Sequence, residues 1–357
     1  MKKQVIVLGA GIIGASIAYQ LQKAGAQVTV LGAGRESATQ ASFGWINASF
    51  YLNDDHFRLR ADAIAAYRVL SSELDISVNW CGCLCFDVSG DAFDAQVADL
   101  KVKGYEFNII DKDQFQTLAP DVGQPPDRCL YFPQEAAAES DQVAAEMLNA
   151  AIKLGARVFR GVAATGFIET GDAVTGVTTP VGDFRADHVV SAVGTATQRL
   201  MKGAGVHIRM LQRPAVMLRT QPIAQKFQHI LVSEIGELRQ LPDGALLLPA
   251  AIGHQSDDAE TVPDITAATD DAFARLQAFL PSVDLKLQSA TLAYRPVPAD
   301  DLPVMGEAKD GLYVACMHSG ITLAALAGQL VSQEVLDGPT NATAKTLAPY
   351  RPDRFTN

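Results

Sequence analysis

The sequence predicts an α/β (α+β) protein in which two units are interleaved along one chain. Three observations carry this. A continuous apolar run, a glycine turn, a helical period and a second apolar run follow one another within the first 32 residues. That rhythm fades after residue 78, returns at 139, fades after 206 and returns at 293. The 357 residues, 48% hydrophobic and 19% charged, suffice for about two domains with their own cores and are too apolar for a disordered chain. The expected division is 1–78, 139–206 and 293–357 for one unit, and 79–138 and 207–292 for a strand-rich second unit.

Taken in order, KQVIVLGAG reads as a buried parallel strand, a β-branched run closed by glycine. GIIGASIAYQLQKAG reads as a helix with Ile13, Ile17 and Leu21 on one face and Gly25 as its stop. AQVTVLGAG is a second strand. Ser37 to Phe50 is small and polar and reads as a loop crossing a ligand, followed by a helix from about His56 to Leu74. Strands, an amphipathic helix over Asp91 to Lys103 and turn clusters follow, up to Ala138. SDQVAAEMLNAAIKLGA reads as a helix capped by Ser140 or Asp141. Short strands with Gly-Asp turns then lead to the apolar strand HVVSAVG. The strand-rich stretch from Gln212 to Leu292 holds one helix, around Asp270 to Phe279. The strand GLYVACM, a glycine turn and the helix ITLAALAGQLVSQEVLDG close the pattern.

The charge balance is 29 basic against 40 acidic residues, a net of -11, without a basic run. Phosphate-backbone binding needs clustered Lys and Arg, so nucleic acid is not an expected partner. Cys81, Cys83 and Cys85 alternate, which on a strand puts all three on one face, and this is not the spacing of a zinc site. They read as buried thiols, and the cytoplasm is the expected compartment. Lys2 and Lys3 before an apolar run imitate a signal peptide, but the glycines at 9, 11 and 14 fit a nucleotide turn better. No stretch has the ~18 apolar residues of a membrane span.

Gly9, Gly11 and Gly14 form G-x-G-x-x-G between a strand and a helix, the fingerprint of a Rossmann-like dinucleotide site. The first glycine permits the turn, the second admits the pyrophosphate, and the third lets helix and strand pack closely. The helix N-terminus adds free amides and a partial positive charge. The acidic residue expected about 20 positions on, for the ribose hydroxyls, is missing; Gly32 stands there. Two readings stay open at this point. Arg35 suits the 2′-phosphate of NADP; alternatively the cofactor is FAD, its ribose held by Glu36, by backbone or by water.

The stretch LAYRPVPADDLPVMGEAKDGLYVACMHSGITLAALAGQLVSQEVLDG resembles the closing segment of the FAD-dependent D-amino-acid oxidase, glycine oxidase and sarcosine oxidase family, in its Arg-Pro, its Pro-x-x-Gly turn, and its strand, glycine turn and last helix. VTGVTTPVGDFRADHVVSAVG is similar to the family's hairpin and second nucleotide-contacting strand, and ATQASFGW to its Ser/Gly-rich loop. The resemblance runs from Lys3 to Gly338, more loosely in the middle. It implies an FAD-binding domain interleaved with a β-sheet-rich substrate domain. It also implies a pyrophosphate on Gly9, Gly11 and Gly14 beside Ile12 and Ile13, with Gln40, Ala41, Ser42 and Phe43 running from the pyrophosphate to the flavin. By the same resemblance Val162 bonds the adenine through its backbone, and Ala192 and Gly194 approach the nucleotide. Ser319, Gly320, Ile321 and Thr322, preceded by His318, face the pyrimidine end of the flavin.

Arg295 matches the arginine that clamps a substrate carboxylate, and His318 is the second catalytic candidate. His56, His254, Trp45 and Tyr294 read as packing or pocket-wall residues. No cysteine stands where monomeric sarcosine oxidases tether their flavin, so non-covalent FAD is expected. The activity implied is oxidation of the C–N bond of a small amino acid or secondary amine of the glycine, sarcosine, proline or D-amino-acid type, with oxygen or another acceptor. The alternatives are a flavoprotein subunit of a heteromeric amine or opine dehydrogenase, with an oligomer or partner chain, and an NADP-linked reductase.

Overall fold

The computed structural model describes residues 2–34, 37–224, 226–252 and 259–355. Its first sheet has six strands in the order Val304–Lys309, Leu312–Cys316, His188–Ser191, Gln4–Leu8, Gln27–Gly32 and Arg157–Arg160. All neighbours are parallel except the first pair. The strand Gln4–Leu8 lies inside this sheet with both faces covered, which is why its sequence is continuously apolar. Val5 and Val7 join one core, under the helices Ile12–Lys23, Asp54–Glu73, Ser140–Lys153 and Gly320–Asp337. Ile6 and Leu8 join another, under the hairpin strands Gly166–Thr170 and Ala173–Thr178. The helices Ile12–Lys23 and Gly320–Asp337 meet closely: a Cβ on Gly328 would lie 2.2 Å from the Ser16 hydroxyl.

The second large sheet has eight strands, and its longest pairing joins Met210–Thr220 to Leu287–Pro298. Its back face, with Val216, Leu218, Leu231 and Leu238, packs on the helix Ile265–Phe279 through Ala272 and Leu276. Alternation and register give the residues of the opposite face: Arg213 with Arg295, Met217 with Pro249, Arg239 with Leu247, Val232 with Glu237 and Cys85. Cys83, Cys85, Ile230 and Val232 on this front face are part of the same core as the helices of the first sheet. A small sheet of Trp45–Ile46, Val78–Asn79 and Ala136–Ala138 completes the core.

Several local expectations need correction. The segment from Ser37 to Phe50 contains the short strand Trp45–Ile46, paired with Ala136 and Ala137. Ser140 opens its helix without capping it: the cap position is Glu139, no side chain there accepts an amide, and the buried Ser140 hydroxyl has no hydrogen-bond partner among the described residues. Cys81 lies outside the strand Cys83–Cys85, so only two of the three alternating thiols share a strand face. All five cysteines are free. The helix Lys112–Leu118, opened by an Asp111/Gln114 capping box, was not anticipated.

Candidate active site

Each glycine of the fingerprint has its own geometric reason. Gly9 has φ +105°, and a Cβ there would lie 2.2 Å from the Ala192 carbonyl oxygen; on Gly14 it would lie 2.0 Å from the Gly9 oxygen. Gly11 is the N-cap of the helix Ile12–Lys23, and a Cβ there meets only the Thr39 hydroxyl, at 3.1 Å. The first and third glycines therefore serve packing against backbone, while the second meets only that one side-chain hydroxyl. That hydroxyl already accepts from the Ile12 amide at 3.1 Å, which leaves Ile13 and Gly14 to supply first-turn amides without intrahelical partners. The set fits a pyrophosphate. Thr39 was missed in the sequence, where it is one small polar residue among several.

The ribose side departs from the usual pattern. A Cβ on Gly32 would lie 2.8 Å from the Ala10 Cβ, so the absent carboxylate is matched by a methyl group in its way. The Val162 amide donates to the Gly32 carbonyl at 3.0 Å, so of the backbone groups expected to reach adenine, the carbonyl remains. Arg35, Glu36 and His254 lie outside the described residues. Gln40 is exposed, and its side chain accepts from the Ser37 amide at 3.0 Å. Ser42 accepts from the Gly44 amide at 3.0 Å, shaping the turn that leads past Phe43 to Trp45. Ala192 is buried, and Gly194, at φ +56°, starts the short helix beside Pro296.

The last helix brings its N-terminus to the first. Gly320 packs against Ile13, its position for a Cβ lying 3.5 Å from the isoleucine side chain. Ser319 is the N-cap but makes no capping bond; its hydroxyl accepts from the buried Arg60 guanidinium at 2.5 Å. Arg60 also donates to Asn47, to the carbonyl at 3.0 Å and to the side chain at 2.6 Å. Thr322 donates to the Trp45 carbonyl at 3.1 Å, and Tyr67 to the Ile321 carbonyl at 2.6 Å. The side chain of Thr322 is therefore committed to structure, and the amides of Ile321 and Thr322 are the first-turn donors left for a ligand.

Two buried charges stand beside this turn. Arg60 falls to about 10 through burial. Glu135, fully buried, accepts from Trp45 Nε1 at 2.9 Å, the Tyr105 hydroxyl at 2.8 Å and the Ser49 amide at 3.1 Å, and burial still lifts it to about 7. Neither residue was singled out from the sequence. From the large sheet Arg295 donates to the Pro214 carbonyl at 3.3 Å. His318 is pushed down to about 3 by burial first, then by the positive charges of Arg295 and Arg60. His56 falls to about 3 as well, through burial first, then the positive charge of Arg60, and below that pH the protonated form of His318. Both imidazoles are neutral at pH 7. The structure thus brings together His318, Ser319, Arg295 and the unforeseen Arg60, from two sheets and a helix.

A family model described as FAD dependent oxidoreductase matches residues 4–334. One of the opine oxidase chains of Agrobacterium tumefaciens (strain Ach5) is 24% identical over 360 residues, covering 93% of each chain. The glycine oxidase of Bacillus licheniformis is 25% identical over 351 residues, covering 94% of this chain and 93% of its own. Among solved structures, L-proline dehydrogenase from P. horikoshii superposes with a TM-score of 0.87 at 20% identity, covering 99% of this chain and 98% of that one. That last likeness speaks to the fold.

Proposed function

The chain belongs to the FAD dependent oxidoreductase family, and from that premise we propose that it oxidises the C–N bond of a small carboxylate-bearing amine or amino acid. It is an FAD enzyme, which removes the NADP reading of Gly32 and Arg35. The observation that carries the substrate reading is the convergence at His318. An arginine on the front face of the large sheet lies close enough to the first turn of the last helix to depress that imidazole.

In this reading Arg295 holds the substrate carboxylate with two parallel N–H bonds and so fixes the orientation of the amine and its α-hydrogen. FAD held here would supply the hydride acceptor, with oxygen or another oxidant as the final electron acceptor. The glycine turn and the amides of Ile13 and Gly14 would hold the pyrophosphate, and those of Ile321 and Thr322 would bond the pyrimidine end of the flavin. Arg60 keeps Ser319, and with it that turn, in place. His318, neutral at pH 7, lines the site as a hydrogen-bonding group, and a carboxylate arriving on Arg295 cancels one of the charges that keep it deprotonated. The imine released takes up water to give a 2-oxo acid or aldehyde and the amine.

The same reading assigns 1–78, 139–206 and 293–357 to FAD, held non-covalently, and 79–138 and 207–292 to substrate. It places the chain in the cytoplasm, which five free cysteines support. No described helix is long and apolar enough to cross a membrane. The test is anaerobic bleaching of the yellow holoprotein by glycine, sarcosine, proline and D-amino acids. A flavin that stays oxidised with every amine of the panel refutes the proposal. A second reading, a chain that works only with a different partner chain, is favoured by the likeness to an opine oxidase component over 93% of both chains. It predicts turnover that appears only when the partner is supplied.

A further inference from the structure

Arg213 and Arg295 occupy facing positions of the long antiparallel pair. Facing residues leave the same side of a sheet with Cβ atoms about 4.5–5.5 Å apart, and like charges placed so destabilise it. The Arg213 side chain is 13% exposed, and its acidic neighbour among the described residues is Glu260, at 3.9 Å and 73% exposed. So loose a pair contributes about 0–1 kcal/mol. Both arginines line a cleft of 410 Å³ together with Arg199, Lys202, Gln198 and Tyr294, and among the described residues no acidic side chain joins its lining. In a chain with a net charge of -11, the described residues thus set four cations around one cleft.

We infer that Arg213 and Arg295 form a receptor for two carboxylates, and that the substrate is a secondary amine carrying one carboxylate on each side of its nitrogen. The inference rests on the C–N oxidation proposed above. Arg295 takes the carboxylate beside the carbon that is oxidised, and Arg213 takes the other. The substrate carbon loses its hydrogen with the bonding pair to the cofactor, and the C–N bond becomes an iminium. Water then adds its oxygen to that carbon and its two hydrogens to the nitrogen. The products are a 2-oxo acid and a primary amino acid, each keeping one carboxylate. An amine with a single carboxylate engages only one arginine.

The experiment compares anaerobic bleaching of the holoenzyme by iminodiacetate and by sarcosine, which differ in the second carboxylate, for wild type, Arg213→Met and Arg213→Lys. Charge-assisted hydrogen bonds of this kind give about 10- to 100-fold in kcat/KM. Wild type should favour iminodiacetate by that factor, Arg213→Met should abolish the preference, and Arg213→Lys, which keeps a point charge without the fork, should fall between. Equal use of the two amines by wild type, or a preference that Arg213→Met leaves intact, overturns the inference while leaving amine oxidation standing. Bleaching by neither amine nor by any of the earlier panel overturns both. If Arg213→Met fails to fold, the wild-type ratio and Arg213→Lys decide alone.

Discussion

Replacing Gly32 by glutamate restores the carboxylate that the ribose side lacks, yet the structure predicts that the change alone is harmful. The new Cβ would lie 2.8 Å from the Ala10 Cβ, well inside the ~3.5–4.0 Å of a carbon–carbon contact. Ala10 sits in the turn between Gly9 and Gly11, so relief of the overlap must move the backbone that cradles the pyrophosphate. Overpacking of this kind costs about 1–3 kcal/mol, of which loss of a strand glycine returns about 0.4–1 kcal/mol. Ala10→Gly removes the obstructing methyl group. The double variant Ala10→Gly/Gly32→Glu should therefore be more stable than Gly32→Glu alone, with a coupling of about 1 kcal/mol or more. With the carboxylate accommodated, its bonds to the ribose should tighten FAD by about 10- to 100-fold. Denaturant unfolding of the apoproteins gives the coupling, and flavin fluorescence gives the dissociation constants. A Gly32→Glu variant as stable as wild type, or a double variant no better than that single one, would refute the steric argument.

Arg295→Ala should raise KM by about 10- to 100-fold with FAD retained, and an unchanged KM ends the carboxylate assignment. The same change removes one cause of the low His318 pKa, so an NMR titration should find that imidazole shifted upward. Glu135, at about 7 against an ordinary 4.5, binds a proton when folded that the unfolded chain has released. Its penalty therefore grows as pH rises from 4.5 through 7 and reaches about 3 kcal/mol. His56 and His318 have the opposite sign: their contribution is complete above the unfolded value of 6.5 and is lost as pH falls towards 3. Glu135→Gln should flatten the first slope and leave the second, and pH profiles of unfolding that run parallel to wild type would contradict this. Arg60→Met should cost about 1–3 kcal/mol by leaving Asn47 and Ser319 without their donor, and should push Glu135 higher still, read as a displacement of the same pH profile.

What could be read in advance was what is local. The glycine fingerprint, the Arg-Pro of the strand Leu287–Pro298 and the last helix each carry their meaning within a few residues. The Arg60 network was illegible because its partners, Asn47 and Ser319, come from distant segments, and a charged residue in an amphipathic helix usually marks the solvated face. Glu135 sits in FPQEAAAES, which looks like an exposed turn until Trp45, Ser49 and Tyr105 are folded over it. The juxtaposition of Arg213 and Arg295 depends on the register of two strands, which no single-strand pattern encodes. One missed element did carry a local sign: Asp111-x-x-Gln114 is a capping box, and it announces the helix Lys112–Leu118.

The strand order of the first sheet sets a timetable for synthesis. The strand Gln4–Leu8 is made well before one of its two neighbours, His188–Ser191, with several helices and strands synthesised between them. At ~5–20 residues per second that edge waits roughly 10–40 s for its partner on the ribosome. The strand Leu312–Cys316 and the turn that meets Ile13 arrive later still. The nascent chain must therefore hold one edge of an apolar strand open while about 180 residues are made, its other edge being paired early by Gln27–Gly32. Cofactor capture, which needs both helix N-termini, must wait until Gly320 has been made, and a chain cut short before that turn cannot be rescued by added flavin.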